Sequence, residues 1–303
     1  MSLAELIGRG AGRVEEHAAF GARTTYRVGG TVRVLVTLAS NDDLDALGPL
    51  MLASGLSLVA LGNGSNLLVA DGEHDVIGVR LVGSFLELRW RDEGSDVIVE
   101  AGAGLDLPVA ARRLAKEGVV GFEWAVGVPG TFGGAAMMNA GGHGSDMAAS
   151  VRNADVWRDG TRRRWSNDDL AFGYRTSALT SGTLVLGVTL QLAHGDAERA
   201  AQEIRDVVRW RREHQPGGAN AGSAFRNPDG DVAGRLIELA GCRGLRVGSA
   251  HVSEKHANFL IADVDGTAND VFALLRTVQE RVRANSGVEL HSEHRFLGFD
   301  EAP

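Results

Sequence analysis

Two glycine-rich segments carry backbone chemistry suited to binding a phosphate group. The first, residues 62–66 (Gly-Asn-Gly-Ser-Asn), follows a short apolar run, and the second extends from Pro129 to Gly142. Concave loops of small residues bind phosphate or pyrophosphate through backbone N–H groups, without a lysine. Neither segment completes the G-x-G-x-x-G pattern of a dinucleotide fold or the Gly-Lys-Ser/Thr ending of a P-loop. A tight turn is the alternative for either loop alone, whereas two such loops in one chain favour a large phosphorylated cofactor.

Arg175, Ser223 and a pair of histidines are the side chains most open to a catalytic interpretation. Arg175 lies in a polar turn where a guanidinium can bind a carboxylate or phosphate; the alternative is a surface ion pair. Ser223 follows a glycine but lacks the G-x-S-x-G elbow of an esterase nucleophile, so a turn residue is its alternative. His291 and His294 fall in a pattern that predicts a strand, where their side chains would face opposite sides. We therefore predict no metal centre.

The composition predicts a core-forming protein of the cytoplasm. The chain has 303 residues, roughly two domains at about 150 residues each, and 44% of its residues are hydrophobic. The formal net charge of −8 argues against nucleic acid as the main partner. The only cysteine, Cys242, excludes an intramolecular disulfide framework. We expect no membrane span, because no apolar run is long enough, and no secretory signal, because the first residues lack its basic and apolar regions.

Consecutive strand patterns with scattered helices predict an α+β fold rather than a regular βαβ series. Apolar and β-branched runs predict strands over 31–38, 56–61, 76–81, 85–90, 96–102, 151–157, 161–165, 183–192, 257–262 and 288–291, with a strand or helix start over 67–69. Amphipathic or capped segments predict helices over 41–54, 107–117, 197–212, 231–240 and 268–284. A change in composition predicts a domain boundary near 193–196.

Together, the glycine loops and polar motifs resemble those of one enzyme family. The matching segments are 24–30 (TTYRVGG), 61–69 (LGNGSNLLV), 127–134 (GVPGTFGG), 138–141 (MNAG), 172–177 (FGYRTS), 221–228 (AGSAFRNP), 252–259 (VSEKHANF) and 293–298 (EHRFLG). They follow the family's order over nearly the whole chain, so the combination is far more specific than any one motif. On these residues the chain resembles the UDP-N-acetylenolpyruvoylglucosamine reductase (MurB) family, in its shorter form without an extra tyrosine-bearing loop.

The resemblance implies an α+β protein with the two-subdomain FAD-binding fold of vanillyl-alcohol-oxidase (PCMH) type and a smaller C-terminal α+β substrate domain. The implied domains are 1–75 for the first FAD-binding subdomain, to which 290–303 returns, 76–195 for the second, and 196–289 for the substrate domain. The implied cofactor is non-covalent FAD, with NADPH as co-substrate. The implied protein is a cytoplasmic monomer that acts on small molecules and binds neither nucleic acid nor membrane.

The resemblance also implies roles for individual residues. Arg175, Ser223 and Glu293 match the family's catalytic positions. The implied cofactor-binding residues are Tyr26, Arg27, Gly62, Asn63, Gly64, Ser65, Asn66, Leu67, Pro129, Gly130, Thr131, Gly133, Gly134, Asn139, Gly141, Arg211 and Arg295. The implied substrate-binding residues are Tyr174, His143, Asn227 and His256.

The implied reaction is the reduction of UDP-N-acetylglucosamine enolpyruvate to UDP-N-acetylmuramate, a step of peptidoglycan precursor synthesis and hence of cell-wall biogenesis, cell shape and division. In it the flavin N5 delivers hydride, Arg175 stabilises the developing enolate, and Ser223 supplies a proton with support from Glu293. The chain departs from the family pattern at His143, where a phenol is frequent, at Ser292 and His294, where the family has Pro and Val, and at His214.

Two further hypotheses stay open at the level of sequence. The first is a related FAD-dependent oxidase or reductase with another substrate, which Ser223 and Glu293 disfavour, since an oxidase has no carbanion to protonate. The second is a catalytically silent flavin- or nucleotide-binding protein, which the presence of all three catalytic residue types disfavours.

Overall fold

The computed structural model describes residues 3–10 and 13–299, so the last residues of the predicted segment 290–303 lie outside the described part. Within the described residues nine α-helices, α1 to α9, span Leu3–Arg9, Asn41–Ala53, Leu107–Lys116, Phe132–Met138, Met147–Ser150, Asn167–Leu170, Ala197–His214, Ala233–Leu239 and Ala268–Ser286. In the same part of the chain seventeen strands, β1 to β17, span Val14–Ala19, Thr31–Leu38, Ser57–Ala60, Leu67–Val69, Glu73–Leu81, Leu88–Glu93, Asp96–Gly102, Val119–Val120, Gly141–Gly142, Ser145–Asp146, Val151–Arg158, Thr161–Ser166, Leu184–His194, Arg246–Val247, Ala250–Val252, Leu260–Ala262 and Arg295–Leu297.

The chain forms two compact units, and each is built from several segments. The first unit comprises Met1–Glu16, Arg33–Asn63 and Asp75–Arg211, and the second comprises His17–Val32, Gly64–His74 and Arg212–Pro303. The chain passes from the first unit to the second near the end of α7, and the apolar stripe of that helix (Ala200, Ile204 and Val207) belongs to the core of the first unit. The three-domain division, with its boundary near 193–196, stays a prediction.

An antiparallel sheet organises the first unit. Its strand order is β12-β11-β13-β7-β6, and β8 pairs with one end of β13. Because alternate residues of a strand face the same side, β7 and β13 present apolar rows such as Val97, Val99 and Leu190 to the core. The helices α3, α4 and α7 contribute apolar side chains to the same core, which holds the start of α4 against the sheet.

The second unit is built around the long helix α9. It packs with α8 and the small antiparallel sheet β14-β15-β16 in one core. The C-terminal strand β17 pairs in parallel with β4, so that Arg295 lies beside Leu67 and Leu297 beside Val69. This pairing brings the C-terminal motif next to the end of the first glycine loop.

Most predicted elements are confirmed at least in part, and one is wrong. Strands β2 and β7 have the predicted bounds. The strand predicted over 85–90 begins late, because Gly83–Leu86 forms a 3-10 turn, in which Gly83 has a positive φ of 59°, before β6 starts at Leu88. Over 288–291 there is no strand, since the Leu290 carbonyl accepts from the Gln279 side chain rather than from a strand partner.

The helix α4 was not predicted, and membrane-spanning helices were not expected. The sequence interpretation missed α4, because the pair of glycines in its first turn is more typical of a loop. Across residues 3–10 and 13–299, no helix is both long and apolar enough to cross a membrane.

We predict that Asp71 stabilises the second unit by capping α9. Its carboxylate accepts the N–H groups of Ala268 and Asn269, over 3.2 and 3.0 Å, at the first turn of that helix. Asp71→Ala should lower the free energy of unfolding in urea by about 1 kcal/mol, since it removes two charge-assisted bonds at a helix N-terminus. The control is Asp75→Ala, which breaks only an exposed ion pair with Arg33. An equal loss in both variants would contradict the capping role.

Candidate active site

The two predicted glycine loops meet in the first unit. A Cβ atom added to Gly62 would overlap Oγ1 of Thr131, so only glycine lets these backbones approach. Asn63 donates from Nδ2 to Oδ1 of Asp106 over 2.7 Å, and Asp106 forms an isolated β-bridge with Thr131. Residues almost seventy positions apart in sequence therefore form one continuous surface.

Backbone hydrogen bonds fix the second loop in place. The Gly130 carbonyl accepts the N–H of Leu107 over 2.9 Å, and the N–H of Gly133 donates to the Ala103 carbonyl over 2.8 Å. Gly134 is exposed, and an added Cβ there would approach no described atom closer than 3.8 Å. The inner side of this loop is therefore rigidly attached, and its outer side is open.

The open side of this surface fits a pyrophosphate-bearing group. Gly62, Asn63, Pro129 and Gly134 are all exposed there. At Gly134 an added Cβ would meet no neighbouring side chain closer than 3.8 Å, so a ligand can approach the backbone there, which is the property that phosphate-binding loops exploit. We call residues 62, 63 and 129–134 the glycine cradle.

Asn139 makes several hydrogen bonds within the protein, and its predicted contact with the cofactor stays a prediction. It ends α4 in a left-handed conformation and is only 4% exposed. Its Nδ2 donates to the Gly173 carbonyl over 2.9 Å and to Asp146 over 3.1 Å, while Oδ1 accepts the N–H of Ala148 over 2.9 Å. Since its amide is saturated inside the protein, Asn139 supports the turn that starts at Gly173 and leaves no amide hydrogen for a ligand.

That turn presents Arg175. Gly173 and Thr176 exchange two backbone hydrogen bonds, of 3.0 and 3.2 Å, and Arg175 takes a positive φ of 56° between them. Its Nη2 donates to the Gly141 carbonyl over 3.0 Å, and its guanidinium carbon lies 5.5 Å from the ring centroid of Tyr174. Tyr174 itself is 58% exposed. The local fold thus holds one edge of the guanidinium in a defined place.

His143 lies at the tip of the hairpin that β9 and β10 form. Both residues of its turn, His143 and Gly144, have positive φ, and Gly141 at its base is packed too closely against Asp146 to carry a side chain. The His143 ring packs edge-on against Trp210, with ring centroids 5.2 Å apart. Burial and then the charge of Arg211 lower the pKa of His143. The imidazole is therefore biased towards its neutral form.

In the second unit, residues 24–27 pack against the rest of the first glycine loop. Gly64 takes a positive φ of 61°, and an added Cβ would lie 2.6 Å from the Cα of Thr24. The N–H of Thr25 donates to the Gly64 carbonyl over 3.2 Å. Ser65 follows and is partly buried, whereas Arg27 is exposed.

Tyr26 is buried beneath this surface. It has no exposed area, and its hydroxyl lies 2.9 Å from Nε2 of His294. On the far side of the ring, Nδ1 of His294 lies 3.1 Å from Oδ1 of Asn66. The structure makes Tyr26 a partner of His294, and its predicted contact with the cofactor stays a prediction.

Ser223 and Glu293 lie in adjacent segments of the second unit. The N–H of Glu293 donates to the carbonyl of Ala224 over 2.9 Å, and Ser223 forms an isolated β-bridge with Phe259 on the other side. Both residues are partly buried. The backbone of Glu293 is therefore bonded to the residue that follows Ser223, although Ser223 and Glu293 are seventy positions apart in sequence.

Arg295 lies close to a second arginine. Burial and then the charge of Arg226 lower the pKa of Arg295, and the same backbone pairs with Leu67 in the β17–β4 ladder. Burial also lowers the pKa of Arg211 in the first unit. Guanidinium groups bind phosphate and carboxylate groups through two parallel hydrogen bonds.

Two predicted substrate-binding residues also have structural partners. Asn227 is exposed, and its Oδ1 accepts the N–H of Ala233 over 3.0 Å at the start of α8. The ring of His256 packs against Phe259 with centroids 4.8 Å apart, and burial lowers the pKa of His256. Nδ1 of His256 also accepts the N–H of Asn258 over 3.2 Å, so both side chains are held in place by contacts within the protein.

The sequence did not reveal the roles of Asp106 and Asn258, or the hydrogen bonds of His294 to Tyr26 and Asn66. Asn258 is 4% exposed, and its amide makes both a donor and an acceptor bond with the backbone of Phe225, over 2.8 and 2.9 Å. A buried asparagine inside a polar motif was the available signal, since such an amide must find partners. Nothing in the sequence pattern indicates Asp106.

Comparisons with known proteins agree over nearly the whole chain. Residues 214–297 match the family model "UDP-N-acetylenolpyruvoylglucosamine reductase, C-terminal domain", and residues 32–166 match "FAD binding domain". The chain is 40% identical over 298 residues to UDP-N-acetylenolpyruvoylglucosamine reductase 2 of Symbiobacterium thermophilum, covering 97% of this chain and 95% of that protein. It is 42% identical over 287 residues to the reductase of a Synechococcus species, covering 91% of each.

A solved structure agrees with the sequence comparisons. The crystal structure of UDP-N-acetylenolpyruvylglucosamine reductase (MurB) from Thermus caldophilus superposes with a TM-score of 0.81 at 36% identity, covering 94% of this chain and 99% of that one. The predicted α+β fold with an FAD-binding part and a C-terminal family domain is confirmed.

We predict that Gly62→Ala weakens FAD binding by forcing the cradle apart. The added Cβ overlaps Thr131 Oγ1, and a shift of the order of 1 Å in a binding loop typically costs about 100-fold. The measurement is the dissociation constant of FAD by flavin fluorescence. Thr131→Ala combined with Gly62→Ala removes the overlapping atom and should restore part of the loss; a double variant as weak as Gly62→Ala would contradict the steric account.

We also predict a pH-dependent stability contribution from His294. Burial lowers its pKa to about 4, against about 6.5 in an unfolded chain. As the pH falls below 6.5, the histidine binds a proton in the unfolded chain but stays neutral in the folded protein, so the free energy of unfolding decreases. Between pH 7 and 4.5 the wild type should lose about 2 kcal/mol more than His294→Gln in urea unfolding. Parallel pH profiles of the two proteins would contradict this.

Proposed function

The chain belongs to the UDP-N-acetylenolpyruvoylglucosamine reductase family, and from this premise we propose that it reduces UDP-N-acetylglucosamine enolpyruvate to UDP-N-acetylmuramate with FAD and NADPH. The observation that carries the proposal is the 40% identity over 97% of the chain, joined to the adjacency of Ser223 and Glu293. In this proposal the enzyme acts in the cytoplasm as a monomer, in the synthesis of peptidoglycan precursors, and so serves cell-wall growth, cell shape and division.

The residues of the glycine cradle are suited to hold FAD. Its phosphates need exposed backbone N–H groups and small side chains, and Gly62, Asn63 and Gly134 offer these. Gly64, Ser65 and Arg295 are assigned to FAD on the family resemblance alone. When bound, FAD supplies two-electron chemistry, accepting a hydride from NADPH and passing one to a substrate carbon.

Ser223 is assigned the proton transfer. Hydride addition to the methylene carbon of the enolpyruvyl group converts it to a methyl group and leaves an electron pair on the carbon that bears the carboxylate. The Ser223 O–H bond breaks, and its proton forms the new C–H bond there. Serine is a weak acid, so it needs a neighbouring group that stabilises its alkoxide and returns a proton, and Glu293 is the group that the adjacent segment provides.

Arg175 is assigned the role of stabilising the negative charge that develops on the substrate during this reduction. Before the proton arrives, the electron pair is delocalised into the carboxylate as an enolate, whose second negative charge a guanidinium stabilises by a few kcal/mol. The bond to the Gly141 carbonyl holds the guanidinium of Arg175 in place, and guanidinium geometry suits bidentate binding of a carboxylate. His143 and Asn227 are assigned to substrate binding.

The test of this function follows the flavin absorbance of the holoenzyme without oxygen. NADPH should bleach the flavin, and UDP-N-acetylglucosamine enolpyruvate should then restore the oxidised spectrum with formation of UDP-N-acetylmuramate. Reoxidation by oxygen but not by the enolpyruvyl sugar would overturn the proposal and favour a related FAD oxidase. A flavin that neither reactant changes would point to a silent binding protein.

We predict that Ser223→Ala slows only the second half of this reaction. The flavin should be reduced by NADPH at the wild-type rate, because no proton from Ser223 is needed there. Reoxidation by the enolpyruvyl sugar should slow by about 100- to 10,000-fold, the usual contribution of a general acid. The control is Ser286→Ala, whose hydroxyl bonds the carbonyl of Val282 in the last turn of α9. An equal slowing of both half-reactions by Ser223→Ala would contradict its assigned role.

A further inference from the structure

The backbone carbonyl of Glu293 has an unusual partner. It accepts a hydrogen bond of 2.9 Å from Nδ2 of Asn66, while the backbone carbonyl of Asn66 accepts the N–H of Arg295 over 2.9 Å. Asn66 therefore holds the chain on both sides of His294, and all four residues belong to the second unit. The remaining amide atom of Asn66, Oδ1, points to the ring of His294.

These contacts fix the orientation of the amide and the tautomer of the imidazole. A carbonyl can only accept, so the atom of Asn66 that faces Glu293 must be the NH₂ group. Oδ1 must then face His294, and because an oxygen of this kind cannot donate, Nδ1 of His294 must carry the hydrogen. Nε2 of the neutral ring is left as an acceptor, so the hydroxyl of Tyr26 must donate to it.

Burial keeps this chain of bonds in one state. Tyr26 has no exposed area and His294 is 5% exposed. The neutral ring is favoured since burial lowers the pKa of His294, and the neutral phenol is favoured since burial raises the pKa of Tyr26. With one proton arrangement satisfied throughout, the chain from Tyr26 to Glu293 has no competing pattern.

We propose that His294, as the Nδ1–H tautomer set by the amide of Asn66, is a positioning residue that holds Glu293 beside Ser223 through that amide. The proposal rests on the function proposed above, in which Glu293 supports proton transfer from Ser223. Glu293 is fixed on one side by its N–H bond to Ala224 and on the other by its carbonyl bond to Asn66. Losing the second bond lets the carboxyl-bearing segment turn about the first.

Two variants of His294 separate this role from simple packing. In His294→Asn the amide nitrogen replaces Nδ1 and can still donate to Asn66, while the bond to Tyr26 is lost. In His294→Gln the amide oxygen replaces Nε2 and can still accept from Tyr26, while the donor to Asn66 is lost. The asparagine leaves the larger cavity, so a packing role alone predicts that it is the more damaging change.

The two half-reactions of each FAD-loaded variant are measured without oxygen, at a temperature where urea unfolding shows both variants folded. His294→Gln should lower the rate of flavin reoxidation by the enolpyruvyl sugar by about 10- to 100-fold at saturating substrate, with little change in KM. His294→Asn should stay within about threefold of wild type, despite its lower stability. Reduction by NADPH should be unchanged in both.

A second readout does not depend on either variant folding. Nitrogen-15 NMR of the wild-type holoenzyme, labelled at its histidine rings, should show His294 protonated at Nδ1 and unprotonated at Nε2 throughout pH 6–8. Tyr26→Phe should leave that preference in place, because Oδ1 of Asn66 still requires a donor at Nδ1.

Three results would overturn the proposal: an Nε2–H tautomer in the wild type, a His294→Gln enzyme with wild-type reoxidation, or a His294→Asn enzyme slower than His294→Gln. Failure of the proposed function gives a different result, since the wild type itself would then not be reoxidised by the enolpyruvyl sugar, while the tautomer could still be as inferred.

Discussion

The segment that carries Ser223 forms neither a helix nor a regular strand, and its place depends on hydrogen bonds from both sides. On one side the buried Asn258 amide substitutes for a strand partner of Phe225. On the other, the N–H of Glu293 donates to the Ala224 carbonyl. Because an unsatisfied buried backbone group costs about 1–3 kcal/mol, the segment keeps this register, and a slip of one residue would turn Ser223 away from Glu293.

The second constraint is steric: at several positions near the site only glycine fits, because a neighbouring residue fills the space of a side chain. At Gly62 and Gly64 the neighbouring chain, at Thr131 and Thr24 respectively, occupies the space of a side chain. The loop can therefore be tight without a lysine or a regular helix beneath it. Gly141 is a similar case. Its carbonyl accepts the hydrogen bond from Arg175, and its backbone packs so closely on Asp146 that a side chain would not fit. The cofactor-facing and arginine-bearing parts of the first unit thus depend on residues that contribute no side chain of their own.

Much of this organisation is legible in the sequence, because strand and loop patterns are local. The strand over 31–38 and the helix that Ser40 caps follow from apolar rows and capping residues. The strand predicted over 288–291 fails because periodicity does not reveal that Gln279 satisfies the Leu290 carbonyl. The helix α4 was hidden for the opposite reason: its core contacts outweigh the low helix propensity of its glycines.

The site shows the same division between local pattern and tertiary contact. The motifs identify Ser223 and Glu293 as residues of interest through family resemblance, but no spacing rule reveals that their segments share a hydrogen bond. Tyr26 is the clearest case. The family resemblance implies that Tyr26 contacts the cofactor, but only the three-dimensional structure reveals that its ring is buried and that its hydroxyl bonds His294.

The most direct test of the account is a crystal structure of the protein with FAD and the enolpyruvyl sugar bound. The account predicts the Ser223 hydroxyl oxygen about 3–3.5 Å from the carbon that bears the carboxylate, with the Glu293 carboxyl within hydrogen-bonding distance of the same reaction centre. A substrate whose carboxylate-bearing carbon faces another proton donor, with Ser223 turned away, would contradict it.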